Sequence, residues 1–392
     1  MTTYKENNNL NKIFISMMGL GILGIAGAFY FLPIKVWVNI LTVNFMFLSI
    51  GLFGIFMLAV TNIVGAAFVA PYRKILEALA GTVPYLGLSM FVILLGAHSL
   101  YEWTHADVVM NDKILMSKAA YLNLPFFSVR MIICIGLWSL MSMVLIKKFK
   151  EQEDFPDKAE DIQKSLSGLS ALFMIVFGVT YSVASFDWIM SLEPHWFSTI
   201  FGVYTFSGLV VSGLATLILV LIYLQSQGYM EEVNLNHYHD LGKLLLGFTT
   251  FWAYIWFSQY LLIWYANIPE ESEYYVLREH YGWNLLFWAN IILSWAIPFM
   301  ILLPRWTKRN KKVLQWTCYI ILVGQWLNLY VMVAPKVMEH HGVTNVSITW
   351  VELFIAAGYA GFFLFVFFKK LSKSSLVAEN SPFLAEGLAL EQ

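Results

Sequence analysis

The chain has 392 residues, 59% of them hydrophobic and only 12% charged. An ordinary soluble domain carries about 25% charged residues, so a surface this apolar calls for lipid rather than water. The net charge of −1 gives no basic field for nucleic acid, and two cysteines cannot supply the roughly four thiolates of an iron–sulfur cluster.

A charge-free run of about 20 residues is long enough to cross a bilayer. The first such run, Ile13 to Leu32, is too long for a signal-peptide core and lacks a small-x-small cleavage site, so it reads as a first span. In chain order the spans fall at about 12–32, 38–68, 74–99, 125–147 and 166–187 for helices 1 to 5. Helices 6 to 10 follow at about 197–224, 241–266, 283–303, 313–334 and 350–368. Helices 2 and 6 occupy runs longer than one crossing and should tilt or project beyond the lipid. Cys134 and Cys318 lie inside apolar runs and read as small buried side chains. Small residues paired at helical spacing (Gly24 and Ala28, Gly208 and Ser212, Ala357 and Gly361) permit close helix approach.

The expected fold is therefore an all-α integral membrane protein of about ten transmembrane helices over residues 1–370, with a polar, irregular tail at 371–392. Eighteen of the 24 Lys and Arg residues sit on the side that holds both ends of the chain. The other side has Lys35, Lys113, Lys118, Arg130, Arg278 and Lys336. By the positive-inside rule the first side is cytoplasmic. The outer side holds tryptophans suited to an interfacial belt, two long loops (101–124 and 267–282), and most of the histidines.

Several chemistries lack their residues. Only His98 falls within a helix, at its outer end, so no buried histidine pair serves a b-type haem. His340-His341 reads as a solvated pair, since no intramembrane histidine accompanies it. Walker, dinucleotide and nucleophile-elbow motifs are absent. The chain is expected to bind no metal and no redox cofactor of its own.

Ionisable residues near membrane depth are functional candidates. His98 and Glu102 stand i,i+4 at the end of helix 3 and should share a face. Arg130 begins helix 4, Asp187 ends helix 5 and Glu352 begins helix 10. Two readings stay open for these five: charges snorkelling to the interface, or a site for proton exchange with a quinol headgroup, where His or carboxylate accepts the hydroxyl proton. Deeper lies a column of neutral polar groups. Helix 7 offers Thr249, Thr250, Tyr254, Ser258 and Gln259, helix 8 Asn290 and Ser294, helix 9 Gln325 and Asn328, with Asp240 and Lys243 at the cytoplasmic mouth. These groups could carry a water chain for protons or tie helices together.

The segment Ser185 to Phe197, SFDWIMSLEPHWF, resembles a signature of the ActF subunits of alternative complex III, a quinol:cytochrome c oxidoreductase. So does the run from His239 through Trp264, with its Gly242-Lys243 and Trp252 to Gln259. The ten-helix plan and long outer loops extend the likeness over nearly the full length. That family is related to the NrfD-like quinol-interacting membrane subunits. The resemblance implies two four-helix bundles, helices 2–5 and 6–9, flanked by helices 1 and 10. It places haem c and iron–sulfur clusters on partner subunits, a multihaem cytochrome c and an iron–sulfur protein. The better-supported quinol site belongs to an ActC-like membrane sibling. For this chain it implies an inner-membrane subunit, within lipid and in contact with a terminal oxidase supercomplex, that anchors redox subunits, guides protons and contacts quinol or menaquinol. The rival readings are a secondary transporter and a purely structural anchor. Transporters place ionisable or unwound elements at midplane, and the sequence shows neither clearly.

Overall fold

The computed structural model describes residues 3–280, 282–343 and 346–390. The described residues are helical almost throughout, with an isolated β-bridge between Thr3 and Ser375. The long helices are α1 (Asn8–Phe31), α2 (Pro33–Val64), the interrupted α3 (Ala67–Leu100), α4 (Leu124–Asp154) and α5 (Ala159–Trp188). They continue with α6 (Phe201–Ser226), α7 (Leu235–Ala266), α8 (Asn284–Leu302), α9 (Lys311–His340) and α10 (Trp350–Leu371). Nine of these, among the described residues, are long and apolar enough to cross a membrane by hydropathy. The tenth, α7, is 32 residues long and has Trp, Tyr, Thr and Gln interspersed among its aliphatics.

Parity settles its status. The Thr3–Ser375 bridge and the Ser372 hydroxyl donating to Glu6 at 2.8 Å bring both ends of the chain to one face. Nine crossings would leave them on opposite faces, so α7 crosses as well. The face with the two ends is called here the terminal face, and the other the loop face.

Several helices start before the apolar runs do, because polar caps and not hydrophobicity set their ends. Asn7, Asn234 and Asn310 accept backbone N–H groups at the starts of α1, α7 and α9. Thr349 and Glu352 form a capping box at α10.

Helices α2, α6 and α9 form the interior, each buried over most of its apolar span. The bundle α2–α5 meets the bundle α6–α9 along these three helices, and α1 pairs with α10 on the outside. That antiparallel pair is set by glycine: a Cβ on Gly21 would stand 2.5 Å from the Gly358 Cα, and one on Gly361 would stand 2.7 Å from the Phe14 carbonyl.

Two expectations need correction. Helix 3 is not continuous; it breaks at Gly81-Thr82 and tightens to a 3₁₀ run at Phe91–Gly96. The tightened run ends where Gly96 lies against the Trp37 ring, which a Cβ would meet at 2.2 Å. The tail is not loose either. Leu376 and Ala378 are fully buried, and a short helix, Leu384–Leu388, seats Gly387 against the Ala67 carbonyl. His237 Nε2 lies 3.0 Å from the Gly387 carbonyl, so the tail folds onto the start of α7. The tail's last two residues lie outside the described residues.

Candidate functional site: the loop face and the polar column below it

The loop face is organised by the segment between α5 and α6. Asp187, at the end of α5, takes Arg130 Nε at 2.6 Å and Nη2 at 3.1 Å. The guanidinium also donates to the Tyr121 carbonyl and lies over the Tyr121 and Phe126 rings at 3.8 and 4.3 Å. Ser191 donates back to the Asp187 carbonyl at 2.5 Å, and Tyr101 donates to the Trp188 carbonyl at 2.9 Å. Trp103 Nε1 donates to the Ser191 carbonyl, and Lys118 to that of Pro194. His195 Nε2 lies 2.6 Å from Asp112 Oδ2. The Leu115 N–H, then His195 and the Ile114 N–H, hold the Asp112 carboxyl below its ordinary value. The 101–124 loop is thus tied to the segment at several points.

On the other side of the segment, Glu193 binds Arg278 of the helix Pro269–Glu279, Nη2 to Oε1 at 2.5 Å. Arg278 is buried, and its other N–H groups reach the Val331, Met332 and Tyr274 carbonyls at 3.0, 2.9 and 2.7 Å. Pro335 explains the first of these: it has no N–H to offer the carbonyl four residues before it, Val331, and Arg278 supplies the missing donor. The Tyr274 ring lies 3.4 Å from the guanidinium and stacks on Trp196 at 4.0 Å. Burial opposes the Arg278 charge, but Glu193 and the tyrosines outweigh it and hold the group above its ordinary value.

These contacts reassign the ionisable candidates. Asp187 and Arg130 are partners of each other. Glu352 is fully buried: Thr349 N and Oγ1 occupy Oε2 at 2.6 Å each, and Tyr330, Asn39 and Lys35 approach Oε1 at 3.1, 3.4 and 3.6 Å. Neither carboxylate has an oxygen turned to a ligand. His98 and Glu102 do not share a helical face, because Tyr101 between them is extended (φ −116°, ψ 112°). His98 instead joins a histidine chain, 5.3 Å from His105, which stands 6.2 Å from His340, which stands 5.1 Å from His341. His105 Nε2 lies 2.8 Å from the His98 carbonyl, and His341 Nε2 lies 2.9 Å from that of Ser99. No group of three or more metal-ligating side chains is placed to hold an ion among the described residues.

The neutral column is real in part. Ser198 donates to Gln259, which donates to the Tyr275 hydroxyl at 3.0 Å. Tyr204 donates to Asn328 at 2.5 Å, Asn290 donates to the same oxygen at 3.1 Å, and Ser294 donates to Asn290 at 3.2 Å. A void of about 10 Å³, the size of one water, is bordered by Gln259, Tyr275, Arg278, Tyr204 and Asn328 and so joins the two sets. A second, equal void lies beyond Asn328, beside Gln325 and Ser49. The Gln325 amide N–H₂ is buried without a partner among the described residues. Ser294 sits in a π-turn, Ile292–Ala296, and Gly324 lets α9 approach it.

Other members leave the column. Tyr254 is 63% exposed on the outer surface of α7, and Thr250 is exposed and donates to the Leu246 carbonyl. Thr249 is buried but also donates to Leu246, and Ser258 is half-buried. At the terminal face Lys243 pairs with Asp240 at 2.6 Å.

Sequence reasoning missed Glu193, Arg278, Tyr204, Asp112 and Trp103. One signal existed: Pro335 inside α9 leaves an orphan carbonyl that some donor must fill. No protein-family model matches the chain, and no curated protein matches it.

Proposed function

We propose that this multi-pass membrane protein is the anchoring subunit of a respiratory quinol:cytochrome c oxidoreductase of the alternative complex III kind. Its loop face would seat the cytochrome c and iron–sulfur subunits, and its column would carry protons over the adjoining half of the membrane. The observation that carries the reading is the loop-face lock. One 13-residue segment, Ser185 to Phe197, fastens α4, both long loops and α9 through two buried ion pairs, Arg130–Asp187 and Arg278–Glu193. A rigid, cross-braced surface is what a docking platform needs, whereas alternating access needs the two halves to rock. The resemblance of that same segment to the ActF signature points the same way. Quinol contact at Asp187 or Glu352 has little geometric support, since their partners are internal. Proton exchange with the aqueous side falls instead to the exposed histidines with Glu102.

The test is purification of the chain from its native membranes in mild detergent, followed by a haem spectrum and identification of the accompanying chains. Stoichiometric c-type haem on accompanying subunits is expected. A colourless, solitary protein that exchanges a solute in vesicles would establish the transporter reading instead.

A further inference from the structure

A large apolar cavity lies away from the loop face. It holds about 510 Å³ and is walled by α1, α2, α6, α9 and α10, with Phe14, Ile50, Leu219, Tyr319 and Phe363 among its lining. On α10 the lining runs from Ala360 to Phe368, a height of about 12 Å at 1.5 Å per residue. One leaflet's hydrocarbon is about 15 Å deep. The lining residues of α1, α6, α9 and α10 lie in the half of each span nearer the terminal face, so the cavity is one leaflet deep. Tyr319 is 44% exposed, so the cavity opens sideways past α9.

Two of its lining hydroxyls are engaged within their own helices. Thr216 donates to the Ser212 carbonyl at 2.8 Å, and the Tyr319 hydroxyl accepts from Gln315 at 3.3 Å. Apolar cavities of about 150 Å³ stay dry and take up hydrocarbon, and this one is several times larger and faces hydrocarbon. Exposed charged side chains, Lys312, Lys5 and Glu6, lie towards its terminal-face end. Lys312 is exposed and lies on the same stripe of α9 as Gln315 and Tyr319. Lys5 donates its backbone N–H to Tyr229, whose ring meets Tyr4 at 5.6 Å, and Tyr4 packs on Phe368 at 5.4 Å.

We infer that this cavity is a binding site for an anionic phospholipid, one acyl chain filling the cleft and the phosphate held at the Lys312 and Lys5 rim. The inference stands apart from the proposed respiratory role. It is tested by native mass spectrometry of the full chain, with any subunits that accompany it, after detergent exchange. Solvent extraction and chromatography then separate phospholipid from isoprenoid quinone. One anionic phospholipid per chain should persist. Ala360→Trp, which fills the cleft, should lower its occupancy at least five-fold, and Lys312→Glu, an exposed change that leaves folding intact, should lower it at least three-fold. Retention of quinone or detergent alone, or of phospholipid at unchanged occupancy in Lys312→Glu, overturns the assignment. Unchanged occupancy in a folded Ala360→Trp protein does the same.

Discussion

Replacing Arg278 by methionine keeps a long flexible side chain and removes only the guanidinium. That group holds Glu193 at 2.5 Å and the Val331, Met332 and Tyr274 carbonyls at 2.7 to 3.0 Å. Breaking a buried ion pair from one side costs about 3–5 kcal/mol, because the surviving charge is stranded. Each carbonyl left without a donor adds about 1–3 kcal/mol, and the terms overlap rather than add in full. Arg278→Lys should recover little, since one ammonium cannot reach carbonyls and carboxylate spread around a planar fork. The informative variant is Glu193→Gln with Arg278→Met: it removes the stranded charge and should be about 1–3 kcal/mol more stable than Arg278→Met alone, while staying below the parent because Val331 is still orphaned by Pro335. Equilibrium unfolding in mixed detergent, followed through tryptophan fluorescence, reads all four proteins. Trp196, stacked on Tyr274, places a reporter at the lock. An Arg278→Met protein within about 1 kcal/mol of the parent, below the cost of one lost buried hydrogen bond to a charged group, would refute the account.

The carboxylates of the loop face should separate by role. Asp187→Asn strands Arg130 and should reduce stability by about 3–5 kcal/mol with turnover per folded complex within a few-fold. Glu102→Gln, beside the histidines, should slow quinol:cytochrome c turnover by about 10²-fold at unchanged assembly, and normal turnover there would remove the histidine cluster from the proton route. At Gly21, leucine should separate α1 from α10, since even a Cβ would stand 2.5 Å from the Gly358 Cα; loss of a disulfide engineered across that helix pair would report it. The Asp112 carboxyl is depressed below its ordinary 3.8, so its contribution to docking the 101–124 loop is present above that value and lost as pH falls through the lower folded one. Proteolysis of the loop should therefore rise only below about pH 4, and a rise between pH 5 and 7 would point away from Asp112. Cysteines at positions 158 and 272 should label with an impermeant reagent from opposite sides, the first from the cytoplasm; labelling of both from one side would break the ten-span topology.

Much of this architecture is legible in the sequence because a bilayer imposes a one-dimensional rule. Backbone groups in hydrocarbon must be satisfied within their own segment, so each apolar run becomes a helix whatever its neighbours do. The ten apolar spans follow from that alone, and the common side of both ends follows from their even number and the Lys and Arg count. Helix ends were less legible, since a cap such as Asn7 or Asn234 lies outside the apolar run it starts. The functional face was decided elsewhere. Nothing local to Arg278 reveals that it reaches Glu193 85 residues earlier and Val331 53 residues later. Nor does local periodicity reveal that His98 and Glu102 part company at Tyr101, whose hydroxyl is drawn to the Trp188 carbonyl across the bundle. Within one helix the 3.6-residue period says which residues share a face, but not which face meets protein and which meets lipid. In an apolar solvent both faces look alike in composition, and that is why Thr250 and Tyr254 turn outward while Gln259, on the same helix, turns in. The choice is made by packing, through close approaches such as Gly213 on Phe53 and Gly324 on Ser294. It therefore exists only once the helices are assembled.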